Sequence, residues 1–112
     1  MRDDFLIKNF PKNRVLLQEF EIQKQKILRM VRNTKYEETI HLNGHIEKNP
    51  HKEEYYCWMN LYFPRKVFHV KQKASDALTA LKNSCGKLFF MVKKHKDKYI
   101  SRKRGRGKIM NT

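Results

Sequence analysis

The chain has 112 residues, with 26 Lys plus Arg against 11 Asp plus Glu, a net charge of +15 and a pI near 10. That length allows one modest domain, and 39% hydrophobic residues suffice for a packed interior, which excludes a wholly disordered chain. So positive a field attracts polyanions such as RNA, DNA or an anionic membrane surface, while the longest apolar run, Leu88 to Val92, is far too short to span a bilayer. The opening MRDDFLIKNFPKN carries two acids and no long apolar stretch, unlike a secretory signal. Cys57 and Cys85 are expected as reduced core thiols in a cytosol-like compartment.

Residues 1–13 are ambiguous: Phe5 and Ile7 alternate with Leu6 and Lys8 as in a short strand, which Pro11 would end. Asn13 is a suitable N-cap for an amphipathic helix over 14–32. There Leu16, Phe20, Ile27 and Val31 share one face, with Leu17 and Met30 at its edges, while Lys24, Lys26, Arg29 and Arg32 lie elsewhere. Residues 36–48 alternate as a strand, with Ile40, Leu42 and Ile46 opposed to Thr39, His41, Asn43 and His45. Asn49-Pro50 makes a turn. A second strand covers 53–63, with Tyr55, Cys57, Met59, Leu61 and Phe63 on one face and Tyr56, Trp58, Asn60 and Tyr62 on the other. Pro64-Arg65 breaks it, and 66–73 form a third, more basic strand.

Asp76, or Ser75 before it, caps a long last helix whose stripe of Leu78, Leu81, Cys85, Leu88 and Val92 steps by three and four. Lys82, Lys87, Lys93, Lys94, Lys96 and Lys98 decorate the rest of that helix. Gly86 lies inside it, at a cost of about 1 kcal/mol against Ala. From Tyr99 the composition shifts to a basic segment with Arg102, Lys103, Arg104, Arg106 and Lys108, expected as a disordered tail. The expectation is an α+β domain over 1–98 followed by a tail over 99–112. Its order is (β)-α-β-β-β-α, with an antiparallel three- or four-stranded sheet and two helices packed on one face. That arrangement is similar to the double-stranded RNA binding domain.

Residues 76–96, DALTALKNSCGKLFFMVKKHK, resemble the last helix of the short ribosome hibernation promoting factors and the ribosome-associated inhibitor, also known as sigma-54 modulation proteins. That helix looks like D-x-Y-x-A-I-x-x-x-x-x-K-L-x-x-Q-L-x-K-x-K. Asp76, Ala80, Leu81, Lys87, Leu88, Val92, Lys94 and Lys96 match in identity or kind, whereas Leu78, Phe90 and Met91 depart from it. The resemblance extends over about residues 5–98 in the order of elements and is specific over the last helix. It implies a β-α-β-β-β-α fold whose basic surface enters the small-subunit groove between head and body. There it would cover the messenger and transfer RNA sites and idle the ribosome. Lys24, Lys26, Arg29, Lys87, Lys94 and Lys96 become phosphate contacts by carry-over. The implied partner is the small ribosomal subunit with its RNA, met by a cytoplasmic protein that is monomeric off the ribosome.

Other chemistries are poorly supported. His41, His45 and His69 lack the tight converging spacing of a metal site, so no metal or cofactor is expected. No small-molecule substrate is expected either: no nucleophile elbow or phosphate-cradling glycine loop exists, and Glu37-Glu38 and Glu53-Glu54 are adjacent pairs rather than dyads, so an enzyme is not expected. Tyr56, Trp58 and Tyr62 form an aromatic stripe that either packs across strands or stacks bases, the former being the simpler reading. Two rivals remain. A double-stranded RNA binding domain would share the order if the first strand were missing. A non-catalytic basic interaction protein, for instance at a membrane surface, is the other.

Overall fold

The chain runs through β1 (Arg2–Lys8), α1 (Arg14–Val31), a short 3-10 turn (Glu37–Thr39), β2 (His41–Lys48), β3 (Tyr55–Phe63), β4 (Lys66–Ala74) and α2 (Ala77–Asn111). The computed structural model describes the backbone of residues 1–31 and 37–111 and the side chains of residues 1–31 and 38–95. The strands form one sheet in the order β1-β2-β3-β4.

The ambiguous first strand is present, and it changes the character of the sheet. β2, β3 and β4 pair antiparallel, because short turns join them, but β1 pairs parallel to β2. The helix between β1 and β2 carries the chain back to its starting end, so the second strand runs the same way as the first. The sheet is therefore mixed rather than antiparallel throughout.

Both helices begin on the side chains expected to cap them. Asn13 Oδ1 accepts the amide of Val15 at 2.8 Å. Asp76 Oδ1 accepts the amide of Thr79 at 2.8 Å, and its Oδ2 accepts the Thr79 hydroxyl at 2.7 Å. Those bonds to Thr79, the hydroxyl first, hold the Asp76 carboxyl below its ordinary pKa. At its other end α2 does not stop where the composition changes near Tyr99: its backbone stays helical to Asn111 where a disordered tail was expected.

The period-two and period-3.6 stripes meet in one core. Leu42 and Ile46 of β2, Cys57, Met59 and Leu61 of β3, and Phe68 and Val70 of β4 are buried. They share one cluster with Leu16, Phe20, Ile27 and Val31 of α1 and Leu81, Cys85, Leu88 and Val92 of α2. A single cluster built from alternate strand residues places both helices on the same side of the sheet.

Gly44 is the tightest point of that core. It occupies an inward position of β2 between Leu42 and Ile46, opposite Phe5 of β1 and Met59 of β3. A Cβ there would stand 2.8 Å from Phe5 Cδ1 and 3.0 Å from both Met59 Sδ and Phe20 Cε1. The Phe5 and Phe20 rings stack at this place, with centroids 4.5 Å apart and planes 13° from parallel.

The two cysteines are unpaired and buried, as the sequence suggested. Ser84, fully buried on α2, sets its Oγ 2.9 Å from the Leu81 carbonyl and 3.0 Å from Cys57 Sγ. A carbonyl can only accept, so the hydroxyl proton goes to Leu81 and the thiol faces the hydroxyl oxygen. Burial pushes the Cys57 thiol up to about 11 and raises that of Cys85 as well.

Two outcomes follow from this packing. Gly44→Ala should destabilise the fold by about 1–3 kcal/mol, the cost of overpacking, more than the roughly 0.4–1 kcal/mol that a stiffer unfolded chain returns; thermal denaturation measures it. Both thiols should resist alkylation at about pH 8.5, the ordinary thiol pKa, and react promptly in denaturant. Fast labelling of the folded protein would show that they are accessible.

Candidate nucleic-acid interface

The outer face of α2 concentrates unneutralised charge. Lys82, Lys87, Lys93 and Lys94 are exposed there, and among the described residues no carboxylate lies within ion-pair distance of any of them. The sequence explains why: no Asp or Glu occurs between Asp76 and Asp97. The helix turns inward on Leu81, Cys85, Leu88 and Val92, so the lysines between them are turned away from the core.

The basic residues of α1 divide into two kinds. Lys26 and Arg29 are exposed. Lys24 is not free: its Nζ lies 2.9 Å from Glu21 and 3.4 Å from Asp3, and its side chain is only 18% exposed. Glu21, with which it shares a hydrogen bond, raises the Lys24 pKa, and Lys24 in turn lowers that of Glu21. Lys24 thus works as a seam between α1 and β1, its charge already engaged by two carboxylates. Arg32 and the side chains of Lys96, Lys98, Arg102, Lys103, Arg104 and Arg106 lie outside the described residues.

The opposite, open face of the sheet is built differently. Its middle row runs across all four strands: Asp4, Asn43, Asn60 and His69 stand directly opposite one another. His69 Nδ1 donates to Asn60 Oδ1 at 2.6 Å, Asn60 Nδ2 donates to Asn43 Oδ1 at 3.2 Å, and Asn43 Nδ2 donates to Asp4 Oδ1. His41 Nε2 donates to the other Asp4 oxygen at 2.6 Å. Every donor points toward the one carboxylate, so each bond polarises the next. Sequence reasoning missed this row. Alternation assigns its members to the outer face, but only the register makes them neighbours. His41 and His69 are engaged in it while His45 lies outside it, and among the described residues no group of three or more His, Cys, Asp or Glu could hold a metal.

The aromatic stripe is packed across strands. Trp58 is paired with His45 on one side and Lys71 on the other. The His45 ring stacks on it with centroids 4.9 Å apart, and Lys71 Nζ lies 5.2 Å from its centroid and 5.3 Å from that of Tyr56. Because β2 and β4 flank β3, the two neighbours cover opposite faces of the indole. Trp58 is the one tryptophan of the chain, so its emission reports on this face alone. That emission should stay unchanged when a single-stranded oligouridylate is added, since His45 and Lys71 already lie against the indole; strong quenching would show that bases do stack there.

No family model matches the sequence, and no curated protein matches it. Solved structures do. The N-terminal domain of Protein Y from Thermus thermophilus matches with a TM-score of 0.63 at 15% identity, over 85% of this chain and 99% of that one. A ribosomal subunit interface protein from Coxiella burnetii matches with a TM-score of 0.62 at 14% identity, over 86% of this chain and 98% of that one. At such identities the likeness is one of fold, and the β-α-β-β-β-α fold implied by the last helix is the fold this chain shares with both.

Proposed function

We propose that this chain is a ribosome-associated hibernation factor. It binds small-subunit ribosomal RNA near the decoding region and holds off messenger and transfer RNA by occupying their sites. The observation that carries the reading is the outer face of α2, where four exposed lysines stand without a described carboxylate in reach. Lysines so placed release counterions when they meet phosphates, which gives affinity without sequence readout. Structured RNA is bound largely in this way, by shape and backbone. A fold shared with a protein named for the ribosomal subunit interface supports the choice of polyanion. Lys26 and Arg29 on α1 are exposed as well, and the reading counts Arg32, Lys96, Lys98, Arg102, Lys103, Arg104 and Arg106, which lie outside the described side chains, among the phosphate contacts. The factor acts by occupancy, without a cofactor, as a cytoplasmic monomer when off the ribosome.

The double-stranded RNA reading needed the first strand to be missing. β1 is present and pairs along its whole length with β2, and three of these four lysines lie beyond the opening turns of α2. For a membrane-surface role the structure offers little, since the apolar stripe of α2 is buried in the core. Among the described residues no helix is long and apolar enough to cross a bilayer.

Co-sedimentation with purified small subunits tests the proposal. Replacing Lys87, Lys94 and Lys96 together by Gln should abolish association while changing stability by no more than about 0.5 kcal/mol per site. The logarithm of wild-type affinity should fall linearly with the logarithm of salt concentration, and each lost phosphate contact should flatten that slope by roughly one. Full co-sedimentation of the triple variant, or indifference to transfer RNA occupancy, would refute the reading.

A further inference from the structure

Phe90 is 65% exposed, the most exposed large hydrophobic side chain among the described residues. It stands in the middle of the basic face of α2. At 3.6 residues per turn, Lys87 and Lys94 lie to one side of it and Lys82 and Lys93 to the other, each within about 80° around the helix axis. A helical side chain leans toward the N-terminus and covers the preceding turn. The turn beneath Phe90 holds Gly86, which is also exposed.

Gly86 has no internal reason to be glycine. A Cβ built there would meet nothing within 4 Å, and the helix conformation asks for no positive φ at this position. Glycine inside a helix weakens it, so the open backbone beside Phe90 is a cost that packing does not explain. Glycine is the residue that lets an external group come close to the backbone. An exposed ring, a bare stretch of helix beside it and cations on both flanks match the parts of a nucleotide: a flat base, a sugar and a phosphate on either side.

We infer that Phe90 is a stacking platform for one unpaired base of the bound RNA, with the attached ribose lying over Gly86 and the adjoining phosphates met by the flanking lysines. The inference rests on the RNA-binding reading above and adds to it a specific RNA feature, an unstacked base. A second copy of this chain is the less fitting occupant, because two such faces would bring eight like charges together around the rings, four lysines from each copy. Stacking accepts any base, since each has a π-face.

Binding to purified small ribosomal subunits tests it with four single variants, Phe90→Ala, Phe90→Leu, Phe90→Trp and Gly86→Ala, beside the double variant K87Q/K94Q. Melting temperatures confirm folding, which exposure at both positions leaves intact. Phe90→Ala should bind roughly five- to 150-fold more weakly, the range for loss of one stacked base. Phe90→Leu, apolar but without a π-face, should fall with it, and Phe90→Trp should bind at least as well as wild type. Gly86→Ala should melt higher yet bind more weakly, a combination that a purely structural glycine would not produce. If K87Q/K94Q weakens binding while Phe90→Ala and Gly86→Ala do not, the platform is refuted and the basic surface stands. If wild type fails to bind small subunits, both readings fall. Leu acting as well as Phe would point to an apolar protein contact and overturn the inference. So would self-association of the wild type that Phe90→Ala abolishes.

Discussion

At Gly44 the second strand carries no side chain, and the stacked rings of Phe5 and Phe20 occupy the space where one would be. Four elements meet at that point: β1 through Phe5, α1 through Phe20, β2 through the glycine and β3 through Met59. The contact brings α1 down onto the β1 side of the sheet, and so leaves β3 and β4 for α2. It also adds an apolar anchor to a strand otherwise held by its pairing with β2 and by polar contacts. β1 is an edge strand, half-buried at best, and its inward residues are Phe5 and Ile7. A side chain at position 44 would push the rings apart and loosen the strand together with the helix.

Placing both helices on one face gives the molecule two sides of different chemistry. On the open face each described acid has a partner: Asp4 takes His41 and Asn43, and Glu47 takes Lys8. Farther round, Lys73 meets Glu54 and Lys24 meets Asp3. Exposed pairs of this kind add little stability; their consequence is to use up the acidic residues near the sheet and α1. On the outer face of α2 none of the described lysines has a described carboxylate within ion-pair distance, so positive charge stands unpaired there. Unpaired charges of one sign gathered on one face raise the local potential there.

α2 also outruns the body it packs on. Thirty-five residues make a helix of about 52 Å, whereas the nine-residue strands of the sheet span about 30 Å. The buried stripe ends at Val92, and the helical backbone continues to Asn111 beyond it. Its composition suits that role: the residues up to Val92 satisfy the core, and those after it are dominated by Lys and Arg. The same element therefore anchors the fold with one half and carries charge away from it with the other.

Local periodicity made most of this structure legible before any coordinates. Leu16, Phe20, Ile27 and Val31, the alternating residues of β2 and β3, and the stripe from Leu81 to Val92 are the core that hydrophobic spacing indicates. Asn13 and Asp76 cap the helices because a short polar side chain beside the first turn bonds to amides two or three residues on. Those are short-range effects, written within a turn or two of the chain. The parallel pairing of β1, the need for glycine at 44, the Lys24–Asp3 pair and the row from Asp4 to His69 are of another kind. Each joins residues far apart in sequence, and a shift of one residue in register would send every strand side chain to the other face. Basic residues could be counted from composition, but which of them keep their charge free was decided by where folding placed the few carboxylates. Phe90 shows the same division: the sequence supplies an apolar residue in an apolar run, and only the packing of Leu88 and Val92 against the sheet turns it outward among the lysines.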